Sequence, residues 1–262
     1  GLVILGGLGF GVWVDVVKML QLKLNNKMKN TWKQGFYRLS LHSKLVMVIT
    51  FYLIIAGFIF FFLAELRNPN TLGALTYREK VLAALFQSVS PRTAGFSTIV
   101  QNQLTDASKF MTIILMFVGG SPAGTAGGIK TVTAGVLVLC AISTIKGKER
   151  TEVFGRRITV KALLRSLTII MIALGVILAF TMILSFTEEA EFIDLLFEVV
   201  AGFSTAGFTL GITPNLSFVG KIIIIIDMFI GRLGPVTMAV AIIIRQGNHK
   251  STIQYPEEKI IV

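Results

Sequence analysis

The chain has 262 residues, of which 53% are hydrophobic and 15% are charged, and its mean hydropathy is +0.76. Soluble domains carry about 25% charged residues, so this composition excludes an ordinary soluble domain and favours a membrane protein. The formal net charge is +11, but the basic residues lie in short segments beside apolar runs, which does not indicate a nucleic-acid-binding protein. No nucleophilic side chain has the companions of a catalytic site, so we do not expect an enzyme.

The chain begins inside an apolar stretch, GLVILGGLGFGVWV, with no charged residue ahead of it. A secretory signal peptide has a basic segment before its apolar core, so this start does not fit one. The stretch is typical of the second half of a membrane-spanning helix. We therefore expect residues 1–17 to end a transmembrane helix of an upstream repeat, with further chain before Gly1.

Basic and acidic residues are concentrated in different segments of the chain. Residues 18–44 hold seven basic and no acidic residues, and residues 146–165 hold seven basic and two acidic residues. Residues 187–216 contain no Lys or Arg and carry five acidic residues. Because short cytoplasmic loops of membrane proteins are enriched in Lys and Arg, the first two segments are predicted to be cytoplasmic and the third to lie on the outer side.

Two uncharged apolar runs, residues 45–64 and 166–186, are long enough to span a bilayer, since about 20 helical residues cross the hydrocarbon core. Each run is followed by a short helical stretch, a loop of small residues and a second apolar segment. The matching glycines, Gly95 and Gly207, are 112 residues apart, which predicts an internal repeat. The chain is thus predicted to divide into an upstream helix end (1–17), a basic cytoplasmic segment (18–44), a repeat with a broken second helix (45–145), a basic cytoplasmic loop (146–165), a second repeat (166–245) and a tail (246–262).

The short helical stretches, at 77–90 and 193–201, cannot cross a membrane. They are predicted to dip in from the outer side, and the loops after them to return. We name these loops the first re-entrant loop (residues 91–97) and the second re-entrant loop (residues 202–209). Irregular backbone at membrane depth occurs only where it is buried in protein or lines a cavity.

The two re-entrant loops have the composition of a carbonyl-lined passage. Glycine can take a positive φ, threonine adds a hydroxyl, and the preceding helix directs the negative end of its dipole at the loop. Backbone carbonyls that replace a hydration shell form potassium filters. We therefore predict that the two loops line a cation pathway, in which Thr93 and Thr205 offer hydroxyls and Gly95 and Gly207 turn carbonyls toward an axis. The two phenylalanines, Phe96 and Phe208, are predicted to wedge the loops into surrounding helices. The alternative is a packed loop with no role in permeation.

A glycine-rich break, GGSPAGTAGGIK at residues 119–130, interrupts the apolar segment 109–145. Five glycines and a proline favour unwinding, and an unwound stretch at membrane depth is expected to face a cavity just below the filter. We interpret it as a gate formed by Gly119, Gly120, Ser121, Pro122, Ala123, Gly124, Thr125, Ala126, Gly127, Gly128 and Lys130. A static break filled by protein contacts is the alternative. A nucleotide-binding P-loop is excluded, because Ile129 separates the last glycine from the lysine.

Arg232 lies about midway along the last apolar segment, 217–245. A charge at membrane depth is costly and marks a functional site by default, so we predict that Arg232 faces the pore and repels cations below the filter. The alternative is a structural pairing with Asp227 or with backbone carbonyls. Gly231, Gly234 and Pro235 are predicted to kink this helix, and Glu198 to pair locally rather than add negative field at the mouth.

The stretches LFQSVSPRTAGFST, GGSPAGTAGGIKT and LFEVVAGFSTAGFT followed by GRLGP occur in this order. They resemble the membrane subunit of the bacterial Trk/Ktr/HKT potassium transporters, most closely the Ktr type. The resemblance covers essentially the whole chain and identifies it as roughly the C-terminal half, comprising the third and fourth pore repeats and the end of the second. It implies an all-α polytopic membrane protein, with helix–pore helix–filter loop–helix units around a pseudo-fourfold pore. By the same resemblance, the potassium filter would include Thr93, Ala94, Gly95 and Phe96 as its third segment and Thr205, Ala206, Gly207 and Phe208 as its fourth.

The resemblance also implies function and partners. Potassium would enter the cell down its electrochemical gradient, and the membrane subunit would be a homodimer with one pore per protomer. The expected partner is a cytosolic ring that binds a nucleotide, while this subunit itself binds no cofactor besides potassium. Each filter segment of this family has a single glycine instead of the full potassium-channel signature, which leaves sodium open as a coupling or competing ion.

Two other functions remain open from the residues alone. A secondary transporter could bind a small solute at the broken helix 119–130, where discontinuous helices form transporter sites. An assembly subunit could instead anchor soluble partners without conducting any ion.

Overall fold

A computed structural model describes residues 1–24, 36, 38–122, 124, 126–148 and 150–234. The chain begins with two helices, α1 (Leu2–Gly7) and α2 (Phe10–Leu24). Leu8 and Gly9 separate them, and Gly9 has a φ of +77°, which ends the first helix and redirects the chain. Helix α2 continues through Lys18 to Leu24, so the basic segment predicted at 18–44 begins on a helix.

The first unit contains four helices: α3 (Leu41–Glu65), α4 (Tyr77–Val89), α5 (Asp106–Phe117) and α6 (Thr131–Ile145). Side-chain caps stand at the starts of α3, α4 and α5. The Ser40 hydroxyl accepts a hydrogen bond from the Ser43 N–H at 3.2 Å, and Thr76 and Glu79 form a capping box at α4. Such caps satisfy backbone donors that would otherwise be unpaired at a helix start.

A short hairpin joins the first unit to the second. Its strands, β1 (Glu152–Val153) and β2 (Arg156–Arg157), pair Val153 with Arg156. Phe154 and Gly155 both have positive φ, +51° and +71°, as a two-residue hairpin turn requires. This hairpin departs from the all-α prediction, but it involves only a few residues.

The second unit contains α7 (Val160–Thr187), α8 (Phe192–Phe203) and α9 (Phe218–Leu233). Helices α3 and α7 are 25 and 28 residues long and apolar enough to cross a membrane, and they contain the two uncharged runs in which spans were predicted. Large apolar side chains cover their outer faces: Phe51, Leu63 and Phe186 are 62%, 67% and 86% exposed. Such faces suit a helix that contacts lipid.

In each unit, a carboxylate at the end of the long helix accepts hydrogen bonds from the residue that caps a later helix. At the end of α3, buried Glu65 accepts hydrogen bonds from the N–H and the hydroxyl of Thr105, at 3.0 and 2.7 Å. After α7, Glu188 accepts from the N–H and the hydroxyl of Ser217, with the N–H at 2.9 Å. Thr105 and Ser217 cap α5 and α9 and are 112 residues apart, like the paired glycines. The hydrogen bonds from Ser217 hold the pKa of Glu188 below its usual value.

The core is built around the two short helices. Leu195, Phe197, Val199 and Phe203 of α8 are almost fully buried, while Ala83 and Ala84 of α4 pack with Phe61 and Leu72. A helix that is buried on most of its surface can hold a loop at its end in a fixed position. The short helices predicted at 77–90 and 193–201 are confirmed, and their observed bounds are Tyr77–Val89 and Phe192–Phe203.

Helix α9 ends at Leu233, and Gly234 follows with a φ of +86°. The helix is therefore interrupted at one of the residues that were predicted to kink it. Arg232 lies in the last turn of α9. Pro235 and the predicted tail at 246–262 lie outside the described residues.

Candidate functional site

The two re-entrant loops meet at their glycines. A Cβ added to Gly207 would lie 3.2 Å from the Cα of Gly95, and one added to Gly95 would lie 2.9 Å from the carbonyl oxygen of Ala206. The two backbones are therefore in direct contact, at a distance that only glycine allows. Residues 112 positions apart in the sequence thus share one place in the fold.

Both loops also have the same unusual backbone. Thr93 and Gly95 have φ values of +69° and +74°, and Thr205 and Gly207 have φ values of +51° and +80°. A left-handed conformation costs a β-branched residue about 1–2 kcal/mol, so it is rare for threonine. Its appearance at both matching threonines indicates that the surrounding structure imposes it, as is typical of functional sites.

Ser90 holds the first re-entrant loop. Its hydroxyl donates to the carbonyl of Phe96 and accepts from the Phe96 N–H at 3.2 Å, and its carbonyl accepts from the Ala94 N–H at 3.0 Å. Arg92 adds a contact to α3, where its guanidinium donates to the Thr50 hydroxyl at 3.3 Å. The loop is thereby fixed both to the end of α4 and to a spanning helix.

Glu198 holds the second re-entrant loop. The buried carboxylate of this α8 residue accepts from the Leu210 N–H at 3.0 Å and from the hydroxyls of Thr209 and Thr213. The local pairing predicted for Glu198 is confirmed. In the first unit, Gln87 of α4 and Gln101 exchange amide hydrogen bonds at 2.8 and 3.1 Å. Each short helix thus uses one buried polar side chain to hold the chain that follows its re-entrant loop.

The two filter phenylalanines differ. Phe208 is 6% exposed and packs in the core around α8, as predicted. Phe96 is 67% exposed, so the prediction that it wedges into surrounding helices is wrong for the described part of the chain. Hydrogen bonds with the Ser90 hydroxyl hold the backbone of Phe96, while the phenyl ring of Phe96 remains largely exposed.

The glycine-rich break is unwound, as the composition predicted. Helix α5 ends at Phe117 and α6 begins at Thr131. The chain leaves and returns at one place, where the Ile129 N–H donates to the Phe117 carbonyl at 3.2 Å and the Thr131 N–H donates to the Gly120 carbonyl at 3.1 Å. A Cβ on Gly119 would meet the Gly127 carbonyl oxygen. Ala123 and Thr125 of the predicted gate lie outside the described residues.

The break packs against the base of the second re-entrant loop. A Cβ added to Gly127 would lie 2.5 Å from the Thr205 hydroxyl and 2.7 Å from the Ser204 carbonyl oxygen, and one added to Gly128 would lie 3.3 Å from the Ser204 Cα. Gly128 has a φ of +67°. The two features that were predicted separately, as filter and as gate, are therefore direct neighbours.

A second contact fixes the break to the gap between α1 and α2. The N–H and the hydroxyl of buried Ser121 both donate to the Gly7 carbonyl, at 3.1 and 2.8 Å. A Cβ on Gly9 would lie 2.6 Å from the Pro122 carbonyl oxygen. No sequence pattern predicted this contact, although the GLG stretch at residues 7–9 of an apolar helix was a signal that the helix breaks there.

Two basic residues lie beside the glycine-rich break. The Lys130 ammonium donates to the Ala126 carbonyl at 2.5 Å. Arg232 is near enough for its charge to act on Lys130. Asp227 is fully buried, and neither of its carboxylate oxygens has a hydrogen-bond partner among the described residues, so the alternative pairing of Arg232 with Asp227 is not formed.

A cavity of about 200 Å³ lies between the first re-entrant loop and the glycine-rich break. It is lined by residues of both, including Thr93, Ala94, Phe96, Gly124 and Ala126. Irregular backbone at membrane depth is expected to line such a space. The arrangement can therefore offer backbone oxygens and threonine hydroxyls to a small cation.

Comparison with known proteins relates these features to one family. A family model for TrkH, described as cation transport protein, matches residues 1–252. The potassium/sodium uptake protein NtpJ of Enterococcus hirae is 38% identical over 100% of this chain and 55% of its own length. Ktr system potassium uptake protein B of Vibrio alginolyticus is 36% identical over 100% of this chain and 54% of its own length. The chain thus spans about half the length of these curated relatives.

The fold has a solved relative. The crystal structure of the potassium transporter TrkH from Vibrio parahaemolyticus aligns with a TM-score of 0.63 at 21% identity, over 74% of this chain and 43% of that chain. This likeness confirms the predicted all-α membrane fold. The resemblance drawn from the re-entrant loops and the glycine-rich break is confirmed at the level of the family.

Proposed function

Because the chain belongs to the TrkH family of cation transport proteins, which are transporters and not enzymes, we propose that it supplies two of the re-entrant units that line a potassium-uptake pathway. The observation that carries this proposal is the contact between Gly95 and Gly207. Two loops with the same backbone conformation, brought together by a repeat, are what a ring of carbonyl ligands requires. The relatives named as potassium uptake proteins support potassium as the cation.

The proposed filter consists of Thr93, Ala94, Gly95 and Phe96 with Thr205, Ala206, Gly207 and Phe208. Alternation between left-handed threonine or glycine and ordinary alanine lets successive carbonyls face the same side of the chain. Helix α8 ends at the second re-entrant loop, so its dipole adds negative potential where a cation would bind. One relative is named for both potassium and sodium, which supports sodium as a competing or coupled ion.

The proposed gate is the glycine-rich break. Its contacts with Ser204 and Thr205 support this role, because they bring it against the base of the second re-entrant loop, and its hydrogen bonds to Gly7 connect it to the gap between α1 and α2. Few regular hydrogen bonds hold an unwound segment, so its position can change at low cost. Arg232, close to Lys130, would add a positive barrier on the cytoplasmic side of the gate.

Orientation and assembly follow from the charge pattern and from the family. Residues 18–44 and 146–165 would face the cytoplasm and residues 187–216 the outer side of a multi-pass protein in the cytoplasmic membrane. A negative interior then drives uptake, because one charge gains about 2.3 kcal/mol per 100 mV. We further propose a homodimer with a cytosolic nucleotide-binding ring as its regulatory partner, and no cofactor on this subunit besides potassium.

Potassium and rubidium uptake by the full-length protein, expressed in cells that lack their own uptake systems, tests this function. We expect saturable potassium uptake that the Gly207→Ser variant loses or performs with much lower affinity, at equal protein in the membrane. Uptake that is unaffected by Gly207→Ser would remove the filter. Counterflow of an organic solute without potassium saturation would instead indicate a secondary transporter.

A further inference from the structure

An ion pair joins the two units at the ends of α5 and α8 that lie farthest from the filter. The Lys109 ammonium donates to Asp194 Oδ1 at 2.9 Å, and the two side chains are 10% and 21% exposed. Asp106 lies 3.7 Å from the same ammonium but is 78% exposed. Asp194 is therefore the sheltered partner of Lys109, and Asp106 is a solvated partner that contributes little.

The same two helices meet again at their opposite ends. Helix α5 ends at Phe117, where the glycine-rich break begins, and α8 ends at Phe203, just before Ser204. A Cβ added to Gly128 would lie 3.3 Å from the Ser204 Cα and 3.4 Å from the Phe117 carbonyl oxygen. The inner ends of the two helices, the break and the second re-entrant loop therefore converge at one point.

The distances along the two helices match. Phe117 is eight residues beyond Lys109, and Phe203 is nine residues beyond Asp194, which correspond to about 12 and 14 Å of helix at 1.5 Å per residue. The helices therefore run side by side in the same direction, joined at one end by the ion pair. At the other end the link runs through the break, because the Ile129 N–H donates to the Phe117 carbonyl at 3.2 Å while Gly128 contacts Ser204. Sliding α5 along α8 would disturb both connections.

We infer that Lys109 and Asp194 are positioning residues: by fixing the register of α5 along α8, they set the position of the glycine-rich break relative to the second re-entrant loop. A helix is rigid over this length, so the register fixed at one end is transmitted to the other. The pair thus favours the arrangement in which the break lies against the filter base. This inference rests on the proposed function, because only there does the break control ion flow.

The test compares matched carboxylates in the full-length protein. Initial rates of rubidium uptake, divided by the amount of protein in the membrane, give Vmax and KM. Asp194→Asn is expected to raise Vmax about fivefold, within the usual range of coupling between sites, with little change in KM. The control, Asp106→Asn, removes the exposed neighbour and is expected to leave both values near those of the unsubstituted protein. The charge swap Lys109→Asp with Asp194→Lys is expected to restore the original Vmax.

A second variant distinguishes a loss of folding from a change in the position of the break. Lys109→Met with Asp194→Leu removes both charges but keeps the volume of the side chains, which buried pairs often tolerate, and it is expected to raise Vmax like Asp194→Asn. An unchanged or lower Vmax in the variants that reach the membrane overturns the inference, as does a swap that restores nothing. A purely structural role would lower protein amount without changing Vmax per protein. If the unsubstituted protein takes up no potassium or rubidium, the proposed function itself fails, which is a distinct result.

Discussion

Gly95 and Gly207 pack backbone against backbone, so that a Cβ on the second would lie 3.2 Å from the Cα of the first. Each glycine follows a left-handed threonine by two positions. The pair brings together two units that are separated by 112 residues. Its geometry determines how much room a cation would have, and the first prediction follows from it.

Gly95→Ala is expected to raise the KM for potassium about tenfold or more, the change produced by about 1.4 kcal/mol of lost binding. The added methyl group would lie 2.9 Å from the Ala206 carbonyl oxygen, and alanine disfavours the φ of +74°. The measurement is concentration-dependent uptake. Gly211→Ala is the control, since Gly211 also has a positive φ but an added Cβ meets nothing within 4 Å. Equal effects in both variants would indicate backbone strain alone.

Glu198→Ala is expected to weaken both stability and potassium affinity. It leaves the buried Leu210 N–H without its acceptor, and an unsatisfied buried donor costs about 1–3 kcal/mol. It also removes one hydrogen bond from each of the hydroxyls of Thr209 and Thr213. Thermal unfolding in detergent, with and without potassium, measures the loss. Glu189→Ala serves as the control, because Glu189 is exposed. A melting temperature equal to that of the control would contradict the role of Glu198 in holding the loop.

Gly127→Ala is expected to raise the maximal uptake rate severalfold. Its Cβ would lie 2.5 Å from the Thr205 hydroxyl and 2.7 Å from the Ser204 carbonyl oxygen, so the glycine-rich break must move away from the filter base. The rate of rubidium uptake at saturating concentration is the measurement. Gly175→Ala, where an added Cβ meets nothing within 4 Å, is the control. A rate that falls while protein amount is preserved would assign the break a structural role.

Arg232→Gln is expected to increase uptake, because it removes the positive charge of the proposed barrier. The arginine charge also repels the nearby Lys130 ammonium, and the substitution removes this repulsion. The increase should be largest at low membrane potential, where the driving force is smallest. Uptake in vesicles with a set diffusion potential measures it. Lys221→Gln, at the exposed start of α9, is the comparison. If Arg232→Gln lowers uptake while the comparison does not, the arginine supports the pathway instead of opposing it.

Much of this arrangement could be predicted because it depends on local composition. The uncharged runs became α3 and α7, and the glycines and proline of 119–130 ended α5 before α6 began. The internal repeat identified Gly95 and Gly207 as equivalent positions from their spacing in the sequence alone. These features follow from hydrophobicity and backbone freedom, which each stretch of sequence carries by itself.

The contacts that fix the site were not predictable in the same way. Ser121 binds the Gly7 carbonyl across 114 residues, and Lys109 pairs with Asp194 across 85. No local pattern specifies such partners, because they depend on how helices pack. Phe96 shows the same limit, since it shares its motif with the buried Phe208 and yet is 67% exposed.

The most direct test of the proposed filter is a map of the full-length protein in a bilayer, recorded in potassium and again in thallium or rubidium. We expect density for a dehydrated cation beside the Gly95 and Gly207 carbonyls, with stronger scattering for the heavier ion. A map in which either re-entrant loop faces lipid, or in which no cation lies near both glycines, would contradict the proposed filter.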